Sequence, residues 1–415
     1  MLAGLYAKWM YAWETALTTR DENRVERPLE WGFDYLAESC ADGEGLRVAG
    51  DGSGRDGLEA MIELNRRIVA DPQRFYSYTT PTDFRVEMHF PALYPTNVRP
   101  ETLEQEREWK RRAEVGELRK EPFLRFTSGV GSGYPENDVV NARWYEAESR
   151  EKSVEGREGG ERRPKQAMIV MPQWNADAFS HNALCEMFNW FGISCLRLSK
   201  PYHDVRRPAE LERSDYAVSA NVGRTIAACR QAVVDIRSCV DWLESQGYEQ
   251  VGVLGTSLGS AYGFIAAAMD SRLRVCAFNH ASTQFGDVVW TGQSTRHVKA
   301  AFEHAGLTQD ETREMFAGVS PMSFMEEFAA AGAARWEGDL PRRTLVVYAP
   351  YDLTFVVKYS REVLANFDRH GVDYVAKVLP CGHYTTGESP YKYLDGWYLG
   401  SFVWGAFKRL AAARS

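Results

Sequence analysis

The run Val251-Gly252-Val253-Leu254-Gly255-Thr256-Ser257-Leu258-Gly259-Ser260 passes from apolar residues into a serine flanked two positions away on each side by glycine. The apolar part reads as a buried strand, and Ala261 to Met269 has helix-forming composition. A strand that turns this abruptly into a helix leaves no room for side chains two residues either side of the apex, which is why glycine is needed there. The serine hydroxyl is then held out above the sheet as a nucleophile elbow. No other serine has the Gly-x-Ser-x-Gly pattern.

A serine hydroxyl is a poor nucleophile without a base, and the base needs an orienting acid. Leu345 to Ala349 reads as a strand with Asp352 just past its end, and Val375 to Leu379 as another with His383 on the loop beyond, after Pro380-Cys381-Gly382. Reactive groups in an α/β sheet gather outside the carboxyl ends of the strands, so Ser257, Asp352 and His383 are expected to converge there. Asp287 is the alternative acid. The other seven histidines, including His203 and His280, lack this setting and are read as hydrogen-bonded or solvated structural groups.

The 415 residues, 44% of them hydrophobic, suffice for one large domain or two. A net charge of -8 and the lack of a basic run interleaved with aromatics argue against nucleic-acid binding. Seven cysteines form no Cys-x-x-Cys pair and mostly sit in apolar segments, suiting free thiols in a reducing compartment; no metal site is expected. Residues 1–17 lack the basic start, apolar run and cleavage site of a signal peptide, and nothing reaches transmembrane length. A cytoplasmic protein without stable membrane insertion is expected.

Along the chain, Leu5, Trp9, Met10, Trp13 and Leu17 recur at helical spacing, for docking on the protein's own core or, as the sharper reading, on a membrane surface. Residues 41–57 read as a glycine-rich mobile loop, Glu101 to Lys120 as a solvated linking helix, and Glu148 to Lys165 as an exposed excursion. Strands are expected at 123–126, 139–145, 167–171, 192–198 and 273–278, with a long helix over 216–242. From His280 to Leu340 no strand is expected. That interval carries Trp290, Phe302, Phe316 and Phe328 on helices, as a lid over an apolar acyl or aryl pocket requires, although helices packed on a sheet need them too. The loop at 199–208 gathers Tyr202, His203, Asp204 and Arg206 at the expected rim, either to bind an acidic substrate or as a loop fastened by Arg–Asp pairs.

Gly255-Thr256-Ser257-Leu258-Gly259, Asp352 and Pro380-Cys381-Gly382-His383 together resemble the α/β-hydrolase superfamily, over residues 122 to 415. The loop at 201–208 and the Trp/Tyr-rich start are similar to its abhydrolase-domain, dienelactone-hydrolase-like branch. The resemblance implies an α/β fold with a mostly parallel central sheet flanked by helices, here with a helical lid at 281–340 and a mainly helical N-terminal extension at 1–121. It also implies no cofactor and an oxyanion hole from the N–H groups of Leu258 and Trp174, with Asn175 as the neighbouring register. Pro172-Gln173 stands where many members have His-Gly. Asn175, Tyr202, His203, Arg206 and Trp290 are the expected substrate-contacting residues. The function this implies is hydrolysis of a small-molecule carboxylic ester by a serine esterase; alternatives are an amidase or peptidase with the same residues, and a non-catalytic binding protein. Oligomeric state is left open, a homodimer included.

Overall fold

The computed structural model describes residues 2–40, 54–91, 93–94, 100–147, 164–336 and 339–413. The expected loop at 41–57 and excursion at 148–165 fall largely outside them; Gly54 already opens the helix Gly54–Ala70. The described strands form one sheet: β1 (Arg85–His89), β2 (Glu121–Thr127), β3 (Val139–Tyr145), β4 (Gln166–Met171), β5 (Ser194–Leu198), β6 (Gln250–Thr256), β7 (Leu273–Asn279), β8 (Arg343–Tyr348) and β9 (Tyr374–Val378). Their order is β1-β2-β3-β5-β4-β6-β7-β8-β9. The pairs from β1 to β5 are antiparallel, and those from β5 through β4 to β9 are parallel.

Burial explains the difference in sequence between these halves. Strand β1 carries charge and is mostly exposed, whereas every residue of β5 and β7 is buried, as strands covered by helices on both faces must be. The helices Val222–Ser245 and Leu258–Met269 cover one face, and Asn182–Trp190 and Tyr391–Ala412 pack with a second buried cluster on the other. Within the expected N-terminal extension, β1 joins this sheet by pairing with β2. The helix Leu2–Thr19 docks on the body through buried Met10, Glu14 and Thr18. Pro100–Glu114 buries no residue, in keeping with its charge. Between β7 and β8 the described residues hold helices and turns only. No helix among the described residues is long and apolar enough to cross a membrane.

Strand order fixes where a site can form. From β4 the chain moves outward to β5, then returns to place β6 on the other side of β4. The connections leaving the carboxyl ends of β4 and β6 therefore diverge and open a crevice between them, the usual ligand position in such sheets. Ser257 follows β6 and Pro172 follows β4, so both stand at this crevice. A Cβ on Gly259 would fall on the carbonyl oxygens of Met171 and Pro172, and one on Gly255 would fall on that of Gly259. These obstacles are backbone and cannot swing aside. Gly259→Ala is expected to destabilise the protein by about 1–3 kcal/mol, read by urea unfolding; wild-type stability would contradict the packing described.

Candidate active site

Ser257 occupies φ 57° and ψ −120°, a conformation non-glycine residues rarely adopt. It is held there by its own N–H donating to the Asn279 carbonyl at 2.8 Å and by the helix that begins at Leu258. Its hydroxyl lies 2.9 Å from His383 Nε2, and His383 Nδ1 lies 2.8 Å from Asp352 Oδ2. The second oxygen of Asp352 accepts from the N–H groups of Thr354 and Phe355 at 2.7 and 2.6 Å. The structure thus brings together the three side chains expected from sequence. Asp287 is elsewhere, accepting from Gln309 at 2.7 Å and from Nη2 and Nε of the Arg313 guanidinium at 2.8 and 3.0 Å.

His280 joins this group. Its Nδ1 donates to the same Asp352 Oδ2 at 3.0 Å, while Nε2 lies 3.0 Å from Thr386 Oγ1. Its sequence setting is that of a structural histidine, but its place directly after β7 puts it at the same strand edge as Ser257 and Asp352. Burial opposes ionisation of Asp352, but the His383 charge and the hydrogen bonds from both imidazoles outweigh it and hold the carboxyl well below the usual range. Burial likewise disfavours the charged form of His383, and the Asp352 carboxylate overrides it, so this imidazole titrates above its ordinary value. His280 titrates below it, through burial first and the neighbouring His383 charge second. Ligand atoms of His280, Asp352 and His383 lie within 4.8 Å of one another, a spacing also compatible with a metal ion. Here Asp352 Oδ2 is shared between the two imidazoles as a hydrogen-bond hub.

The loop after β4 is fastened by side chains from the loop after β5. Buried Lys200 donates to the Gln173 carbonyl at 2.9 Å, and the Asn175 N–H donates to His203 Nε2 at 3.1 Å. A trans peptide points its carbonyl and N–H in opposite directions, so gripping the Gln173 oxygen turns the Trp174 N–H away from Lys200. Among the described residues the N–H groups of Trp174 and Leu258 have no protein acceptor, whereas that of Asn175 is taken. His203 is buried, which pushes its pKa down; its neutral ring can donate from Nδ1 to the Pro201 carbonyl at 2.8 Å and accept at Nε2.

The expected substrate contacts at the rim need correction. Tyr202, His203 and Arg206 are fully or almost fully buried. Arg206 bonds to Asp235 at 2.8 Å and to the carbonyls of Ser199 and Asn137, each at 2.9 Å; Arg197 meets Asp204 at 2.6 Å. This is the loop fastened by Arg–Asp pairs. The Asn175 side chain accepts from the Ser214 N–H at 2.8 Å, and half-buried Trp290 packs on the core beneath Lys299. None of these five lines the cavity beside Ser257, which is bounded instead by Trp174, Leu258, Phe285, Val288, Val289 and Phe355, among others.

Strand order, elbow and hydrogen-bonded Ser–His–Asp side chains define an α/β-hydrolase architecture, and a solved structure agrees with it. Acetyl xylan esterase 1 from Thermoanaerobacterium sp. JW/SL YS485 superposes with TM-score 0.50 at 13% identity, over 84% of this chain and 94% of the esterase. Acylaminoacyl peptidase of Pyrococcus horikoshii is similar at TM-score 0.49 and 10% identity, over 69% of this chain and 46% of the peptidase. The chain has the α/β-hydrolase fold. In sequence it is 33% identical over 106 residues to an uncharacterized 31.7 kDa protein in the traX-finO intergenic region of Escherichia coli, a match spanning 24% of this chain and 36% of that relative. No protein-family model matches the chain.

Arg206→Leu leaves the Asp235 carboxylate buried without its partner and is expected to cost about 3–5 kcal/mol, measured by denaturant unfolding. Unchanged stability combined with a raised KM would return Arg206 to the substrate-binding role.

Proposed function

We propose that the chain is a serine hydrolase of small carboxylic esters. The observation that carries this reading is the unbroken hydrogen-bond line from the Ser257 hydroxyl through His383 to Asp352. Ser257 Oγ attacks the ester carbonyl as His383 Nε2 takes its proton, and Asp352 stabilises the imidazolium. The N–H groups of Leu258 and Trp174 receive the oxyanion, aided by the positive end of the helix Leu258–Met269. His383 returns the proton to the departing alcohol, leaving Ser257 acylated. Water, deprotonated by the same imidazole, then releases the acid and restores the serine. Cys185, Cys195, Cys229, Cys239, Cys276 and Cys381 are buried and free, which supports the cytoplasmic setting.

The cavity beside Ser257 measures about 50 Å³, room for about three to five water positions. That volume suits an acyl group of two to four carbons. The wall is tied down: Asp287, in the helix Phe285–Thr291, is salt-bridged to Arg313, and the Phe285 N–H donates to Ser320 at 3.0 Å. On p-nitrophenyl esters, kcat/KM is expected to be at least about tenfold higher for acetate or butyrate than for octanoate; a rise through octanoate would show that the wall opens.

Ser257→Ala is expected to lower kcat by about 10⁴–10⁶, and a fluorophosphonate probe should label the wild-type chain at Ser257. Undiminished turnover in the variant refutes the mechanism. Turnover of p-nitroanilides rather than esters would assign the amidase reading, and absence of both labelling and turnover would assign the binding protein. Because His383 must be neutral to act as base and its pKa is raised, kcat/KM should fall on the acid side with a midpoint above the usual imidazole value of about 6.5.

A further inference from the structure

The helix Leu2–Thr19 lies outside the strands and turns that carry Ser257, Asp352 and His383, yet its Glu14 is fully buried. Oε1 of Glu14 accepts from the Tyr384 N–H at 2.9 Å, and Oε2 accepts from the N–H and the hydroxyl of Thr385, each at 3.0 Å. Gly382, on the other side of His383, has no space for a Cβ because the Glu14 carboxylate stands there. Backbone before and after the imidazole is therefore packed on one carboxylate from the far end of the chain.

The helix is itself seated on the rim. The Tyr6 hydroxyl bonds to the Pro380 carbonyl and lies 2.7 Å from that of Tyr391, while Thr18 donates to Gln293 at 2.8 Å. The rings of Tyr6 and Tyr11 meet Tyr351, the neighbour of Asp352, edge-on at 5.7 and 5.3 Å. A buried carboxylate needs partners, and Glu14 finds them in the loop that carries the base.

We propose that Glu14 is a positioning residue for His383: it clamps the loop so that the imidazole stays in line between Ser257 and Asp352, and it supplies a second negative charge to the imidazolium. The proposal rests on the serine-hydrolase reading above. The groups facing His383 are Asp352 beyond β8, His280 beyond β7, Ser257 on the elbow, Tyr384 on its own loop, and Glu14. Glu14 is faced by Tyr384, Thr385, His383, Asp352 and Cys381, and Arg24 reaches the Tyr384 hydroxyl at 3.0 Å. Burial raises the Glu14 carboxyl, the N–H groups of Tyr384 and Thr385 oppose this, and its charge in turn favours protonated His383.

The test uses the full chain with p-nitrophenyl acetate, Ser257→Ala as blank, and active sites counted by fluorophosphonate. Glu14→Gln keeps the shape but removes the charge and presents an amide to donors. Per active site, kcat is expected to fall about 10–100-fold at unchanged KM, and the acid limb of kcat/KM to move to lower pH. An acid limb in its wild-type place, with loss confined to melting temperature or to the number of active sites, overturns the proposal. Should the Gln variant fail to fold, Glu14→Asp decides, since it keeps the charge and draws the clamp back by one methylene. An unmoved acid limb with kcat several-fold lower then supports the proposal, and wild-type kcat overturns it. A wild-type chain that neither hydrolyses the ester nor labels at Ser257 removes the parent reading, and this proposal with it.

Discussion

The backbone at Gly259 runs directly against the carbonyls of Met171 and Pro172, and Gly255 against the carbonyl of Gly259. Everything at the site follows from that double close approach. It brings the loop after β4 beside the turn after β6, so the first N–H of the elbow helix and the N–H of Trp174 belong to one small region. It also forces Ser257 into a left-handed conformation, paid for by the hydrogen bond to Asn279 and by the packing of a helix buried along its whole length.

Around this crossing the protein keeps several charged groups in the interior by pairing them. Asp352 accepts from two imidazoles and two N–H groups, and Arg206 joins Asp235 to two carbonyls. Lys200 spends its ammonium on the peptide before Trp174. Such groups cost little once satisfied and much when a partner is lost, so they hold loops in one arrangement. The Ser257 hydroxyl, the His383 imidazole and the N–H groups of Leu258 and Trp174 stand among these fastened loops.

What the sequence disclosed and what it hid divide along physical lines. Ser257, Asp352 and His383 could be found because each stands just beyond an apolar strand and the local pattern marks the turn. The long helix was expected at 216–242 and runs Val222–Ser245, an ordinary error at an end set by the Asn221 cap. Tyr202, His203 and Arg206 were misplaced because a polar loop reads alike whether its charges meet a substrate or one another. Glu14 went unread, although a carboxylate on the same helical face as Met10, Trp13 and Leu17 is itself a sign of a buried partner. Which partner is a matter of contacts between opposite ends of the chain.

Glu14 and Tyr384 lie 370 residues apart, and a ribosome adding about 5–20 residues per second needs roughly 20–75 s to cover that distance. In order of synthesis the helix Leu2–Thr19 precedes the loop it packs on by that interval, and Ser257 falls between the two. During that interval Ser257 can already have been made and its elbow folded, while the imidazole that would activate it has yet to emerge. The hydrogen-bond line from Ser257 through His383 to Asp352 can therefore close only after residue 383 has been made.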